Sequence, residues 1–159
     1  MAEIGLRTAI LADRSAIIEL IHKLNVFEAD LTHDRSRDYE GAEAYYDELL
    51  RRLSGREGRI VLAEADGRIV GAMGFCVDRD AAYITDDVRL HGTVTDLIVH
   101  EDWRGRGIGQ MLLNEAERLT RKAGLQRLMI GVLVANERAA RTYRDFGFEP
   151  YVSVLIKDL

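Results

Sequence analysis

Cysteine and proline are almost absent from this 159-residue sequence, with Cys76 and Pro150 as the single examples. One cysteine excludes an intrachain disulfide framework and a metal site built on paired cysteines. It also suits a reducing compartment, so we expect a cytoplasmic protein. Because Cys76 lies between Phe75 and Val77 in an apolar stretch, we expect its thiol to be buried and inert.

Long apolar runs and an excess of basic residues are also missing. No apolar run approaches the roughly 18 residues of a membrane span, and the first residues lack the basic and apolar regions of an export signal. The formal net charge is −5, whereas the phosphate backbone of nucleic acids selects basic surfaces. We therefore expect neither a membrane nor a nucleic acid as a partner.

Linkers, repeats and low-complexity stretches are absent as well, so nothing divides the chain. With 47% hydrophobic residues, a chain of this length can bury a substantial core without disulfides or a metal. The sequence therefore predicts a single domain over residues 1–159.

Periodicity predicts a mixed α/β (or α+β) layer structure. Strands are predicted at residues 4–10, 59–65, 68–77, 93–100, 128–134 and 148–157. Helices are predicted directly after Asp13, at residues 41–53, from the turn at 104–109 to Gly124, and at residues 136–146. Asp13 and Asn136 are expected to cap helices, and Asp66-Gly67 to form a tight hairpin turn. The nearly all-apolar strand at 128–134 is expected to be covered on both faces.

The most informative segment, Arg104-Gly105-Arg106-Gly107-Ile108-Gly109, joins a strand to an amphipathic helix. Glycines allow close backbone approach, and the free N–H groups and macrodipole of a helix N-terminus favour a phosphate. Gln110 breaks the dinucleotide pattern Gly-x-Gly-x-x-Gly, and no Gly-Lys-Ser/Thr of a nucleotide triphosphate loop follows. The alternative is an ordinary loop with helix-capping glycines.

Residues 104–109 resemble the Arg/Gln-x-x-Gly-x-Gly/Ala signature of the GNAT superfamily of acyl-CoA dependent N-acyltransferases. A second element similar to that family lies downstream at 136–143, Asn-Glu-Arg-Ala-Ala-Arg-Thr-Tyr, followed by Phe146-Gly147-Phe148. The resemblance implies a three-layer fold: a central, mostly antiparallel, twisted sheet with a V-shaped splay between two central strands and helices on both faces. It also implies acetyl-CoA as co-substrate, no metal, and a possible homodimer.

The resemblance further implies positions for the cofactor. Backbone groups of one strand would pair with the pantetheine arm, backbone N–H groups of the glycine turn would hold the pyrophosphate, and a residue after the next strand would lie beside the cofactor. The implied cofactor-binding residues are Leu97, Ile98, Val99, Arg104, Gly105, Arg106, Gly107, Ile108, Gly109, Gln110, Asn136 and Tyr143.

Tyr143 occupies the family's usual place for a general acid, which donates a proton to the departing thiolate. Alternatively, Tyr143 is an aromatic residue of the core with no catalytic role. The position aligned with the family's base is Thr95, which cannot act as one. Asp96 is the candidate base, provided a bulge turns it to the cleft, and His91 and Glu28 are further alternatives. We expect a surface role for His100.

The segment from Glu28 to Glu48 contains eight acidic residues and two arginines. Such a field would attract a cationic amine, although a solvated helix surface explains it equally well. Tyr39, Tyr45, Tyr46 and Tyr83 would line an aromatic wall or belong to the core.

The sequence thus favours direct transfer of an acetyl group from acetyl-CoA to a primary amine of a small molecule or peptide, with a cationic amine as a candidate acceptor. A second hypothesis is a non-catalytic acyl-CoA binding or sensing module. A third, a nucleic-acid binder that uses Arg104 and Arg106, conflicts with the acidic balance.

Overall fold

The computed structural model describes residues 3–159. Five strands are β1 (Ile4–Thr8), β2 (Arg59–Ala65), β3 (Arg68–Arg79), β4 (Leu90–Val99) and β5 (Leu128–Ile130). Five helices are α1 (Arg14–Thr32), α2 (Tyr39–Leu53), α3 (Asp86–Arg89), α4 (Ile108–Lys122) and α5 (Glu137–Phe146), with 3-10 turns at Leu11–Asp13 and Glu101–Trp103.

The strands form one sheet in the order β1-β2-β3-β4-β5. The first three pairs are antiparallel, and β4 runs parallel to β5. That parallel pairing joins only residues 92–94 to residues 128–130, so β4 continues to Val99 without β5 beside it. This confirms the predicted mostly antiparallel sheet, and the two strands that diverge are β4 and the edge strand β5.

Helices cover both faces of the sheet and make the predicted three layers. On one face, α1 and α2 pack Ile17 and Leu49 against Leu62 of the sheet. On the other, α4 packs Leu112 against Phe75. Two apolar cores thus hold the sheet between the α1/α2 layer and the α4 layer.

Local turn chemistry is confirmed at three positions. Asp66 and Gly67 have φ of 50° and 73°, as a tight hairpin between β2 and β3 requires. Asn136 caps α5 by accepting a 3.1 Å hydrogen bond from the Ala139 N–H. Gly147, with φ of 115°, ends the same helix, because glycine adopts that conformation without a Cβ clash.

Two predicted strands are wrong in extent or existence. β5 ends at Ile130 instead of residue 134, and its residues are half-buried, not covered on both faces. Residues 148–157, predicted as a closing strand, form no strand at all. β-propensity is realised only where a neighbouring strand supplies a hydrogen-bond ladder, and the 148–157 segment has none beside it.

Smaller differences concern the first helix and the loop before β4. Phe27 follows the core residues Ile17, Leu20 and Ile21 at helical spacing on α1, yet it is 39% exposed. The connection between the strands predicted at 68–77 and 93–100 is shorter than expected, because β3 continues to Arg79 and β4 begins at Leu90, directly after α3.

Asp13 is the residue before α1, but its carboxylate does not cap that helix. Instead it accepts hydrogen bonds from both terminal nitrogens of Arg7 on β1, at 2.8 and 2.9 Å, and from the Ile10 N–H at 2.8 Å. The Arg7 hydrogen bond, helped by that of Ile10, lowers the pKa of Asp13 to about 2. The carboxylate therefore fastens the first strand to the start of the first helix.

We expect Asp13→Asn to lower the free energy of unfolding by roughly 1 to 2 kcal/mol at pH 7, after allowance for solvent screening at the half-exposed Arg7. The folded-state pKa is depressed, so the stabilisation is present above about pH 4 and is lost as the pH falls toward about 2. Urea unfolding of both proteins at pH 7 and pH 3 checks this. Glu3→Gln, an exposed carboxylate, serves as control, and an Asp13→Asn deficit that does not shrink at pH 3 would contradict the assignment.

Candidate active site

A β-bulge in β4 determines which way Asp96 faces. Gly74 of β3 pairs with Asp96, whereas the next residue, Phe75, pairs with Val94, so Thr95 is an extra residue in β4. The bulge reverses the side-chain alternation between Val94 and Asp96. Val94 belongs to the core under α4, whereas Asp96 lies on the same face as Ile98, which belongs to the core under α1 and α2. The bulge on which the Asp96 prediction depended is therefore present.

Glycine is required at position 74, opposite the bulge. A Cβ built there would collide with the Thr95 hydroxyl and would lie 3.5 Å from Oδ2 of Asp96. The missing side chain is thus what leaves room for both Thr95 and Asp96 on the α1/α2 face of the sheet.

Tyr45 of α2 holds the Asp96 carboxylate. Its hydroxyl lies 3.0 and 2.9 Å from the two carboxylate oxygens and donates to them. Burial raises the pKa of Asp96 above its ordinary value, and the Tyr45 hydrogen bond opposes that rise. The result is a partly buried carboxylate with increased proton affinity, which is the property of a general base.

Tyr143 of α5 lies in the field of the same carboxylate. Burial raises the pKa of Tyr143 to about 12, and the negative charges of Glu28 and Asp96 add to the rise. Glu28 of α1 itself accepts a 3.1 Å hydrogen bond from Nε of Arg35. The negative charges of Glu28 and Asp96 therefore act on Tyr143, which keeps its proton at neutral pH.

The two histidines considered at the sequence level lie elsewhere. His91, an alternative base, is buried at the start of β4 opposite Asp78, five residues before Asp96, with Nδ1 3.6 Å from Asp80. His100 accepts a 3.3 Å hydrogen bond from the Asp102 N–H and lies 3.0 Å from Nζ of Lys23. His100 thus organises the turn after β4, in line with a structural role.

The glycine turn between β4 and α4 has the geometry of an anion site. Gly105 and Gly107 have φ of 75° and 80°, and a Cβ at either one would meet nothing within 4 Å. The first helical hydrogen bond of α4 runs from the Met111 N–H to the Gly107 carbonyl. The N–H groups of residues 108–110 are therefore left at the open end of the helix, where the macrodipole favours negative charge.

Side chains around this turn have distinct positions. The guanidinium of Arg106 lies 4.6 Å from the Trp103 ring centre, and that of Arg104 lies 6.0 Å from the Phe27 ring centre. Nε of Arg104 also donates to the Val99 carbonyl at 3.1 Å. Ile108 is buried in the α4 core, so only its backbone is available to a ligand.

The opening between the diverging strands is bordered by the other residues implied for the cofactor. Leu97, Ile98 and Val99 lie on β4 beyond its pairing with β5. Asn136 lines a cavity of about 470 Å³. The lining residues are Phe27, Ala135, Asn136, Glu137, Arg138, Arg141, Thr142 and Asp145.

Sequence reasoning missed the Tyr45–Asp96 pair and the basic side chains of Arg138 and Arg141 in this cavity. Tyr45 and Asp96 are 51 residues apart, and no local pattern links them. Arg138 and Arg141 lie within the segment 136–143 that resembles the family, and only their positive charge could have indicated a role in the cavity.

The acidic stretch from Glu28 to Glu48 is partly neutralised by arginines. Arg35 pairs with Glu28 at 3.1 Å, Arg37 with Asp30 at 2.6 Å and, from outside the stretch, Arg14 with Glu43 at 3.3 Å. The four tyrosines also divide: Tyr46 is core, Tyr45 holds Asp96, Tyr39 is 44% exposed, and Tyr83 is 87% exposed on the loop before α3. The acidic field is thus weaker than the composition indicates, and no wall of four aromatics forms.

Residues 3–159 contain neither a cluster of metal ligands nor a membrane-spanning helix. Within that range, no group of three or more His, Cys, Asp and Glu side chains is placed to hold a metal ion. None of the helices in the same range has both the length and the apolar character needed to cross a membrane.

Comparison with known proteins identifies relatives in sequence and structure. Residues 24–148 match the model of the Acetyltransferase (GNAT) family. The chain is 27% identical over 108 residues, 68% of its length and 63% of the relative's, to a putative [ribosomal protein bS18]-alanine N-acetyltransferase of Bacillus subtilis. It is 32% identical over 104 residues, 65% of its length and 67% of the relative's, to an aminoglycoside N(6')-acetyltransferase type 1 of Stenotrophomonas maltophilia.

The fold has solved counterparts as well. A predicted acetyltransferase of Clostridium acetobutylicum, whose crystal structure contains acetyl-CoA, superposes with a TM-score of 0.72 at 16% identity. The superposition covers 98% of this chain and 96% of that one. Since the family model matches more than half of the sequence and the architecture agrees over nearly its whole length, the chain belongs to the GNAT family of acetyltransferases.

Proposed function

We propose that the protein is a single-domain, cytoplasmic N-acetyltransferase that transfers an acetyl group from acetyl-CoA to a primary amine. The observation that carries the proposal is the bulge at Thr95, which turns Asp96 to the α1/α2 face of the sheet, where the Tyr45 hydroxyl holds its carboxylate. Family membership supports the donor, and the lone cysteine, which is buried, supports the location.

The glycine turn and the diverging strands suit the coenzyme A part of the donor. The N–H groups of residues 105–110 and the guanidinium of Arg106 would hold the pyrophosphate, with Arg104 beside them. The free edge of β4 at Leu97, Ile98 and Val99 would pair with the pantetheine amides, and Asn136 would border the arm. No metal is needed for this chemistry.

Asp96 accepts the proton of the amine. A primary amine is mostly protonated at neutral pH, and only its neutral form attacks a thioester. A carboxylate whose pKa is raised by burial takes that proton more readily than an exposed one. The Tyr45 hydrogen bond fixes the direction of the carboxylate, so Tyr45 is a positioning residue.

Tyr143 supplies a proton to the leaving group. The amine nitrogen bonds to the acetyl carbonyl carbon, whose oxygen is polarised by the β4 backbone near Ile98, and the carbon–sulfur bond then breaks. The Tyr143 hydroxyl protonates the departing thiolate. Two protons leave the ammonium nitrogen: Asp96 takes the first before attack, and the second, lost once the carbon–nitrogen bond has formed, restores the ionised Tyr143. Asp96 then releases its proton to solvent, and no covalent enzyme intermediate forms.

The acceptor we propose is a small cationic amine. Glu28 and Asp96 give the cleft a negative character, and carboxylates bind ammonium groups by charge-assisted hydrogen bonds. The Stenotrophomonas relative is named for aminoglycosides, which supports this class, whereas the Bacillus relative is named for a protein alanine. A peptide amine is therefore the second acceptor class.

We expect Tyr143→Phe to lower kcat by about 100-fold or more, because the proton donor is lost, and to leave acetyl-CoA binding intact. For the unchanged protein, acetyl-CoA at about 100 times its Kd adds roughly 2.7 kcal/mol, an upshift in Tm of about 5 to 10 °C. Coenzyme A thiol release and thermal unfolding measure the two effects. Tyr83→Phe, on an exposed loop, is the matched control.

Gly107→Ile should instead prevent acetyl-CoA binding. Position 107 has a φ of 80°, which a β-branched residue cannot adopt without strain. We therefore expect acetyl-CoA to cause no Tm upshift in this variant. Full turnover by Tyr143→Phe would refute the proton-donor role. A Tm upshift without turnover on any amine would favour the alternative of a non-catalytic acyl-CoA sensor.

We expect kcat/KM to fall as the pH drops below the raised pKa of Asp96, since the base must be ionised. Asp96→Asn should remove this acid limb and lower kcat/KM at neutral pH by about 100-fold or more. Tyr45→Phe should move the limb to higher pH, because it deletes a hydrogen bond that favours the charged carboxylate. pH–rate profiles test this, with Tyr39→Phe on the same helix as control, and an unmoved limb in Tyr45→Phe would be inconsistent with its positioning role.

We expect aminoglycosides and polyamines to outperform monoamines with uncharged bodies in a panel assayed by thiol release. Because exposed charges are screened by salt, kcat/KM for the polycationic acceptors should decline more steeply with ionic strength than that for the monoamines, which carry a single ammonium charge. Equal rates across the panel with no salt dependence would rule out electrostatic selection of the acceptor.

A further inference from the structure

A cluster of two arginines and one aspartate lies where α2 ends, and the proposed reaction does not yet use it. Asp78 of β3 accepts a 3.1 Å hydrogen bond from Nη2 of Arg52 on one carboxylate oxygen and a 2.6 Å hydrogen bond from Nη1 of Arg56 on the other. Burial would raise the pKa of Asp78, but hydrogen bonds that include those from both arginines outweigh burial and lower it. Two guanidinium groups thus share one ionised carboxylate, which leaves the cluster with an excess of positive charge.

This cluster lies on the same face of the sheet as Asp96. Cys76 of β3 belongs to the core under α1 and α2, and Asp78, two residues further along the strand, points to the same side. The Cys76 thiol also donates to the Asp78 carboxylate at 3.7 Å. Asp96 pairs with Gly74 of β3, which precedes Asp78 by about 13 Å along the strand. The cluster and the candidate base therefore lie under one helix layer.

α2 supplies the contacts to both carboxylates. Tyr45 and Arg52 are seven residues apart, or about two helical turns, so their side chains leave the helix on the same side. The Tyr45 hydroxyl reaches Asp96, and the Arg52 guanidinium reaches Asp78. The apolar stripe that holds this helix on the sheet consists of Ala42, Tyr46, Leu49 and Leu53. One packed helix thus presents a hydroxyl and a positive charge, in a row, to two acidic side chains of the sheet.

We propose that Arg52, anchored by Asp78, is a second positioning residue of the reaction, whose positive charge keeps the buried Asp96 carboxylate ionised and able to accept the proton of the amine. This proposal rests on the proposed function. Removal of a carboxylate from water favours its neutral form, and a protonated Asp96 cannot act as a base. A fixed cation nearby opposes that effect, and Asp78 fixes it, since an unanchored arginine side chain would extend into solvent.

The surroundings of Asp96 show why a cation is needed there. Burial raises the pKa of Asp96 and the negative charge of Glu28 adds to the rise, whereas two hydrogen bonds and the positive charge of Arg52 oppose it. The groups that act on Asp96 or face it are Tyr45 and Arg52 of α2, Thr95 of β4, Glu28 of α1 and the neutral Tyr143 of α5. Among these groups, Arg52 is the cation that offsets burial and Glu28.

Arg52→Met removes the charge and keeps an unbranched side chain. We expect kcat/KM on the acid limb of the pH–rate profile to fall about 3-fold, with little change on the plateau, because Asp96 would ionise only at higher pH. The factor is moderate because the Arg52 side chain is 44% exposed and solvent screens its charge. Arg52→Lys keeps the charge and should retain the limb. Arg51→Met, an exposed neighbour that donates to the Asp47 carbonyl, is the matched control for the change in net charge.

Direct titration of Asp96 separates the role of Arg52 from the proposed function. The protein is labelled with carbon-13 in the aspartate carboxyl groups, the Asp96 resonance is assigned with Asp96→Asn, and its titration is followed by NMR without substrate. We expect the midpoint to move to higher pH in Arg52→Met and to stay unchanged in Arg52→Lys and Arg51→Met. An unmoved midpoint in Arg52→Met, or an equal rise in Arg51→Met, would overturn the role of Arg52. A moved midpoint in a protein that acetylates no amine would support that role and contradict the proposed function.

Discussion

The brief parallel pairing of β4 with β5 is the constraint on which the site depends. Three residue pairs, 92–94 with 128–130, join the strands before they separate. Beyond them, β4 keeps its antiparallel partner β3 on one side and has a free hydrogen-bonding edge on the other. That edge ends at the glycine turn, and the open end of α4 follows directly, so the unpaired backbone groups of β4 and the free N–H groups of α4 succeed each other along the chain.

What could be predicted from the sequence was encoded locally. The hairpin at Asp66-Gly67, the cap at Asn136 and the glycine turn each depend on a few adjacent residues whose φ preferences or side-chain donors decide the outcome. The divergence of the strands and the layer order came from the family resemblance and are confirmed. The prediction of Asp96 could only be conditional, because a bulge depends on the register between two strands and not on the sequence of one.

What could not be predicted depends on contacts between distant parts of the chain. Tyr45 reaches Asp96 from another layer, and the sequence offered only a choice between core and aromatic wall. Asp13 stands where a cap is expected, yet Arg7 and the Ile10 N–H compete for its carboxylate and prevail. The 148–157 segment has the right propensity for a strand, but propensity does not supply the neighbouring ladder.

Because Gly74 has no side chain, the residues that positions 74 and 95 can accept depend on each other, in evolution and in engineering. A methyl group at residue 74 would meet the Thr95 hydroxyl, so alanine becomes tolerable there only alongside a smaller residue at 95. Substitutions at the two sites should therefore be strongly epistatic, each harmful alone and less so together. In a library of variants, the pair would be recovered as a correlated set, and redesign of the acceptor pocket would have to treat the two strands as one unit.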